Sequence, residues 1–149
     1  MLVPELDVTE LDASMRFYGG VLGFRTLFER PAERFAYLAL DGAELMLQEA
    51  AGPGRRFRTA PLEPPYGRGL NLQLRVDDVD AVLARAVEGG YEVVVPMEER
   101  WYRVDVAEVG GRWQTEGPVE AGNRQFVVAD PDGYLWRPFR DLGLQSAAR

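Results

Sequence analysis

The segment Val8-Thr9-Glu10-Leu11-Asp12-Ala13 returns as Val76-Asp77-Asp78-Val79-Asp80-Ala81, matching Val with Val, Leu with Val, Asp with Asp and Ala with Ala. Met15 then falls on Leu83. An internal repeat of this kind restricts the fold more than any propensity, because each copy must form the same supersecondary unit and bury its apolar face against the other. Before each block an alternating stretch, Val3 to Val8 and Leu70 to Val76, places every second apolar residue on one face, as in a half-buried strand. After each block comes a helical spacing: Leu11, Met15, Tyr18 and Leu22 in the first copy, and Val79, Leu83 and Ala86 in the second.

Thr9 with Asp12, and Asp77 with Asp80, have the three-residue spacing that caps helix N-termini. Glycines at 19, 20 and 23, and at 89 and 90, are expected to stop the helices. Beyond the first helix, strands are expected over Phe24 to Glu29, Phe35 to Asp41 and Ala43 to Glu49, with a tight turn at Asp41-Gly42. The second half offers strands near Glu92 to Val95, Arg100 to Val106, Gln125 to Asp130 and Leu135 to Arg140. Asp130-Pro131-Asp132-Gly133 forms the last turn, with Pro fixing φ early and Gly supplying positive φ at the end. The fold class is therefore α+β, two β-α-β-β-β units at residues 1–50 and 69–142. Residues 51–68, with Pro53, Pro61, Pro64 and Pro65, read as a linker, 105–123 as a Gly-rich insertion, and 143–149 as a tail. Arg55-Arg56-Phe57-Arg58 is taken as loop in preference to a phosphate-binding patch.

Two zeros in the composition exclude most chemistry. The 149 residues contain no Cys and no His, so disulfides, thiolate nucleophiles, zinc-sulfur sites and the commonest general base are all absent. All seventeen basic residues are Arg. Against twenty-four acids they leave a net charge of −7, which repels nucleic acid and attracts small cations. No apolar run reaches membrane-spanning length, and the N-terminus lacks the basic-then-apolar order of a signal peptide, so no membrane partner and a cytoplasmic location are expected.

The repeat, the stretch from Arg16-Phe17-Tyr18 to Leu22-Gly23-Phe24 and the closing Asp130-Pro131-Asp132-Gly133-Tyr134-Leu135 resemble the vicinal oxygen chelate superfamily, which holds the glyoxalases, extradiol dioxygenases and bleomycin resistance proteins. Asn71 through Val79, Arg100-Trp101-Tyr102-Arg103 and Arg124-Gln125-Phe126 are most similar to the bleomycin resistance branch, which binds its ligand without chemistry. The resemblance implies a cup enclosed by curved sheet and a domain-swapped homodimer in which grooves are shared between chains. It also implies metal-ligand positions, and here those hold Val3, Met46, Asn71 and Arg137. An aliphatic, a thioether, an amide and a guanidinium do not hold a divalent ion, so no metal and no cofactor are expected.

Strand parity then selects the residues that face the cup. If the apolar row of each first strand packs on its helix, Glu5, Asp7, Asn71, Gln73 and Arg75 face the ligand. Phe35, Met46, Gln48, Gln125 and Arg137 join them from later strands. Trp101 and Tyr102 are read as an aromatic wall with Trp101 in the groove, and Trp113 either as a lid or as a surface hairpin. Glu5 and Asp7 serve equally as ion-pair partners of Arg137 or Arg75. Trp136, Phe17 and Tyr18 are assigned to packing. The function expected is sequestration of a cationic or aromatic-containing small molecule, the alternative being a lyase or isomerase acting without a metal through Glu5, Asp7 or Tyr102.

Overall fold

The computed structural model describes residues 2–104 and 118–147. Trp113 therefore lies outside the described residues, as does most of the 105–123 insertion. The first half runs β1 (Glu5–Val8), α1 (Leu11–Phe17), a π-helical turn (Tyr18–Leu22), β2 (Arg25–Arg30), β3 (Phe35–Leu40) and β4 (Ala43–Glu49). The second runs β5 (Asn71–Arg75), α2 (Val79–Glu88), β6 (Val93–Val104), β7 (Val119–Ala129) and β8 (Leu135–Ser146). Each half makes its own four-stranded sheet, in the orders β1-β4-β3-β2 and β5-β8-β7-β6. The repeat is thus exact in topology: in both, the first strand lies parallel to the last, and the helix carries the chain across to the far edge.

The strand alternation does what the sequence pattern implies. Leu6, Val8, Leu45 and Leu47 from the first sheet, and Leu74, Phe126, Val128 and Trp136 from the second, enter one core together with both helices. Their alternates, Glu5, Asp7, Met46 and Gln48 on one sheet and Gln73, Gln125 and Arg137 on the other, occupy the opposite faces. Since both apolar faces meet at a common core, the two polar faces look outward on opposite sides of the chain. The enclosed cup anticipated from the sequence is therefore not closed within a single chain.

Several expected boundaries move. Asp41-Gly42 is a two-residue hairpin loop with positive φ at both positions, 46° and 86°, the geometry that matches strand twist. The second half's third strand is one continuous β6, carried through two register shifts between Val93 and Glu98, where two separate strands were expected. Residues 119–123 pair as the start of β7, and β8 continues past Arg140 to Ser146, so part of the expected tail is strand. Helix α1 does not stop at Gly19 or Gly20 but widens into the π-helical turn and ends at Gly23, whose φ is 90°.

The capping devices also differ. Thr9 does not cap α1: its N–H donates to both Asp132 carboxylate oxygens at 3.1 Å, and its hydroxyl donates to Oδ1. The Leu11 N–H donates instead to Glu49 Oε2 at 3.0 Å, a carboxylate that Arg34 also grips and, with that N–H, holds below its ordinary pKa. In α2 the cap is Asp78, which accepts from the Ala81 N–H at 2.9 Å, rather than Asp77. Contacts distant in sequence replace the local capping box in the first copy alone.

The turn between β7 and β8 ties the halves together. Buried Asp130 accepts from the Tyr18 hydroxyl at 2.7 Å and from the Asp132 and Tyr134 N–H groups at 2.9 and 2.8 Å. The Tyr18 hydroxyl in turn accepts from Trp136 Nε1 at 3.2 Å. Burial raises the Asp130 carboxyl above the ordinary carboxylate range, while the Tyr18 hydroxyl pulls it back down. Replacing Tyr18 by Phe leaves the buried carboxylate short of a donor, and a loss of about 1.5–3 kcal/mol of stability is expected at neutral pH. Because the folded state holds the Asp130 proton more readily than the unfolded chain does, this residue's contribution falls as pH rises through its raised pKa, and losing the hydroxyl widens that window. Denaturation of Tyr18→Phe beside the native chain should therefore show a deficit that shrinks as pH falls through the carboxylate range; a deficit independent of pH would contradict the assignment.

Candidate functional site

The polar face of the first sheet forms a grid fixed by strand register. Glu5 pairs with Met46 and Met46 with Tyr37, while Asp7 pairs with Gln48 and Gln48 with Phe35. Next to these, Phe28 stacks on Tyr37 with ring centroids 5.0 Å apart, and the Arg30 guanidinium lies 4.0 Å from the centre of the Phe35 ring. Glu5, Asp7, Phe35, Met46 and Gln48 therefore lie together on this face.

The linker supplies what the sequence reading did not foresee. Residues 52–58 fold back over this face, and Arg58 clamps Asp7 with Nε and Nη2 at 3.0 and 2.8 Å, a contact that holds Arg58 more firmly in its charged form. Arg56 reaches the Glu49 and Gly52 carbonyls at 2.6 and 2.8 Å and approaches Asp7 at 3.8 Å. With its amide oriented to satisfy both neighbours, Gln48 donates to Glu5 Oε1 at 2.8 Å and accepts from Arg56 Nη1 at 2.7 Å. Asp7 is thus paired with linker arginines rather than with Arg137 or Arg75. Between this strap and the sheet lies a cleft of about 460 Å³, walled by Phe35, Met46 and Gln48 below and by Gly54, Arg55 and Phe57 above.

The second sheet carries its own cleft, about 370 Å³, where Gln73, Tyr102, Asn123, Arg137 and Phe139 meet. Gln73 pairs with Arg137 in register, so this couple stands in the second copy where Glu5 and Met46 stand in the first. Arg137 Nη2 donates to Gln73 Oε1 at 3.0 Å. Gln125, only 4% exposed, uses its Nε2 to bridge Glu98 Oε1 at 3.2 Å and the Tyr102 hydroxyl at 2.9 Å. Asn71 sits at the end of β5, paired with Leu135, and faces a separate depression beside the linker rather than this cleft.

Trp101 is not with them. It is the neighbour of Tyr102 on a strand, so the two side chains point to opposite faces. Its ring lies over Gly122, where an added Cβ would come within 2.6 Å of ring carbons. The assignment of Trp101 to the groove is corrected to Tyr102, because the Gln125–Glu98 and Tyr102–Ala121 register places Tyr102 on the polar face. The small residue opposite Trp101 was the available signal, legible only once the register was known. Trp136, by contrast, is buried against Tyr18 as assigned.

A family model described as the Glyoxalase/Bleomycin resistance protein/Dioxygenase superfamily matches residues 4–137. The chain belongs to this superfamily. Among solved structures, TioX from Micromonospora sp. ML1 is similar over 95% of this chain and 98% of its own, with 26% identity and a TM-score of 0.67. TnmS3, an antibiotic binding protein from Streptomyces sp. CB03234, is 27% identical over 93% of both chains, with a TM-score of 0.57. The virulence protein STM3117 from Salmonella typhimurium shares the fold at 18% identity and a TM-score of 0.61. A search of curated proteins finds no match. In this member of the superfamily the residues at the implied metal positions do not fit a divalent ion, since Arg137 brings a positive charge and Met46 a thioether. Among the described residues no group of three or more Asp or Glu side chains is arranged to hold a metal, and no helix is long and apolar enough to cross a membrane.

Asp7 is the carboxylate that ties the strap to the sheet, beside the Glu49 and Ala50 carbonyls that accept from Arg56 and Arg58. Replacing Asp7 by Ala leaves Arg58 only the Ala50 carbonyl and should raise the rate of tryptic cleavage after Arg55, Arg56 and Arg58 several-fold. The melting temperature should change little, since partly exposed pairs contribute about 1 kcal/mol or less. Unchanged cleavage in Asp7→Ala would show that the strap is anchored elsewhere.

Proposed function

We propose that this superfamily member is a small-molecule binding protein of the bleomycin-resistance type, metal-independent and cytoplasmic. It sequesters a cationic or aromatic-containing antibiotic or metabolite in grooves at a homodimer interface. The observation that carries the reading is the division of the polar surface into two clefts on opposite sides of one core, neither of which takes a residue from the other's sheet. Each is an open half-groove with a floor of polar and aromatic side chains. A two-fold partner that set the first sheet of one chain against the second sheet of the other would close both at once, and an isologous dimer makes two such grooves. In this reading residues 1–50 and 69–142 are the exchanged units and 51–68 the segment between them.

The donor set supports binding rather than turnover. Met46 and Arg137 replace metal ligands, and both Asp7 oxygens are engaged by Arg58. The Tyr102 hydroxyl is held by Gln125. These groups fix the orientation of a ligand, and a lyase or isomerase acting through them finds no specific support. The name of TnmS3, a similar protein described as antibiotic binding, points the same way.

Two measurements on the purified protein test this. Its mass in solution should be about 33 kDa, twice the 16.7 kDa chain. In a thermal-shift panel of glycopeptide antibiotics, aromatic cations and common metabolites, at least one should raise stability in a saturable manner, about 2.7 kcal/mol at a hundredfold excess over Kd. A monomer across the micromolar range that no member of the panel stabilises would overturn the proposal.

A further inference from the structure

Three arginines of this chain hold carboxylates through the edge formed by Nε and Nη2, Arg58 and Arg124 on both carboxylate oxygens and Arg34 on Glu49 Oε2 alone. Arg58 holds Asp7 at 3.0 and 2.8 Å, Arg124 holds Asp80 at 3.1 and 2.6 Å, and Arg34 holds Glu49 at 3.0 and 2.9 Å. The planar guanidinium edge matches the two oxygens of a carboxylate. Arg137 presents the same edge differently. Its Nη2 is steadied by the neutral Gln73 amide, its Nε is buried without any hydrogen-bond partner, and among the described residues no carboxylate lies within ion-pair distance of it.

A buried, bare N–H on a cation is costly unless something arrives to accept from it. Around it the second-sheet cleft is built for an acceptor. The Tyr102 hydroxyl accepts from Gln125 and so keeps its own proton to donate. Phe139 and Tyr102 supply ring surface on the same cleft. Among the described residues of the lining the one carboxylate, Asp141, accepts from the Gly143 N–H at 2.8 Å and is not paired with Arg137.

We infer that the cleft of the second sheet takes a planar aromatic carboxylate, whose oxygens the Arg137 guanidinium grips while the ring lies against Phe139 and Tyr102. The inference rests on the reading of this cleft as part of the ligand groove, and it requires a ligand charge of the same sign as the net charge of the chain. The overall −7 acts at long range and is screened by salt, whereas the guanidinium acts at contact. Gln73 is a positioning residue that holds the fork in place.

The test uses the full chain with benzoate, benzamide of the same shape, and inorganic phosphate, followed by calorimetry and by the 15N-resolved resonance of the Arg137 Nε–H. Benzoate should bind saturably and move that resonance, and benzamide and phosphate should bind about tenfold more weakly or worse. Arg137→Gln should reduce benzoate to the benzamide level, with melting measured on the same sample. Arg137→Lys, which keeps the charge and loses the fork, should fall between and serves in place of the Gln variant if that fails to fold. Equal binding of benzoate and benzamide, or of benzoate to native and Arg137→Gln protein, would overturn the carboxylate inference and leave the aromatic groove standing. Phosphate as tight as benzoate overturns the aromatic part. Absence of binding by all three overturns the inference, and the groove reading is then judged separately by the antibiotic panel and the solution mass.

Discussion

Asp130 is the point on which the two halves depend. Its carboxylate lies buried in the turn between β7 and β8, takes the Tyr18 hydroxyl from the first half, and closes its own turn through the Asp132 and Tyr134 N–H groups. Two residues on, Asp132 receives the Thr9 N–H and hydroxyl at the start of α1, and the Tyr134 hydroxyl donates to the Asp7 carbonyl at 3.0 Å. Five consecutive residues, Asp130 to Tyr134, thus fix the orientation of the first helix, the first strand and the central aromatic ring. Tyr18 then packs edge-on against Phe17, Phe24 and Trp136, which spreads the polar anchor into the apolar core. The corresponding turn of the first copy, Asp41-Gly42, has no such role and stays at the surface.

With the apolar faces committed to that core, the functional surfaces diverge although the backbone repeats. At the paired positions of the first and last strands one copy has Glu5 with Met46 and the other Gln73 with Arg137. The first face is overlaid by a strap of the linker and framed by two guanidinium–aromatic contacts, Arg30 on Phe35 and Arg55 on Phe57. The second is open and carries Arg137, whose Nη2 donates to Gln73 and whose Nε has no hydrogen-bond partner. A groove assembled from unlike halves can read both ends of an asymmetric ligand, which is the physical content of the proposed dimer.

Much of the fold was legible because the repeat and the period-two alternation are local signals of burial. Ala43 to Glu49 and the Asp41-Gly42 turn emerge directly from them, and so does the polar row Glu5, Asp7, Met46, Gln48, Gln73, Gln125 and Arg137. What was not legible depends on contacts remote in sequence. The first N–H of α1 is taken by Glu49, and Thr9 is turned to Asp132, so Thr9 and Asp12 gave a false local reading. The linker becomes a wall of the first cleft through Arg56 and Arg58, which meet Asp7 and the Glu49 and Ala50 carbonyls. Trp101 was misassigned because a residue type was weighed ahead of register, and the bulges in β6 hid that register from parity counting. Trp113 lies outside the described residues.

The central claim is that each groove joins the first sheet of one chain to the second sheet of its partner. The chain has no cysteine, so single thiols can be placed at will: Met46→Cys on the first face and Gln73→Cys on the second. Treating the two single variants, separately and after mixing and re-equilibration, with a short bis-maleimide reads the geometry directly on a denaturing gel. The account predicts covalent dimers only in the mixture, with none from either variant alone. A mixture that stays monomeric, while the double variant Met46→Cys/Gln73→Cys cross-links within its own chain, would contradict it.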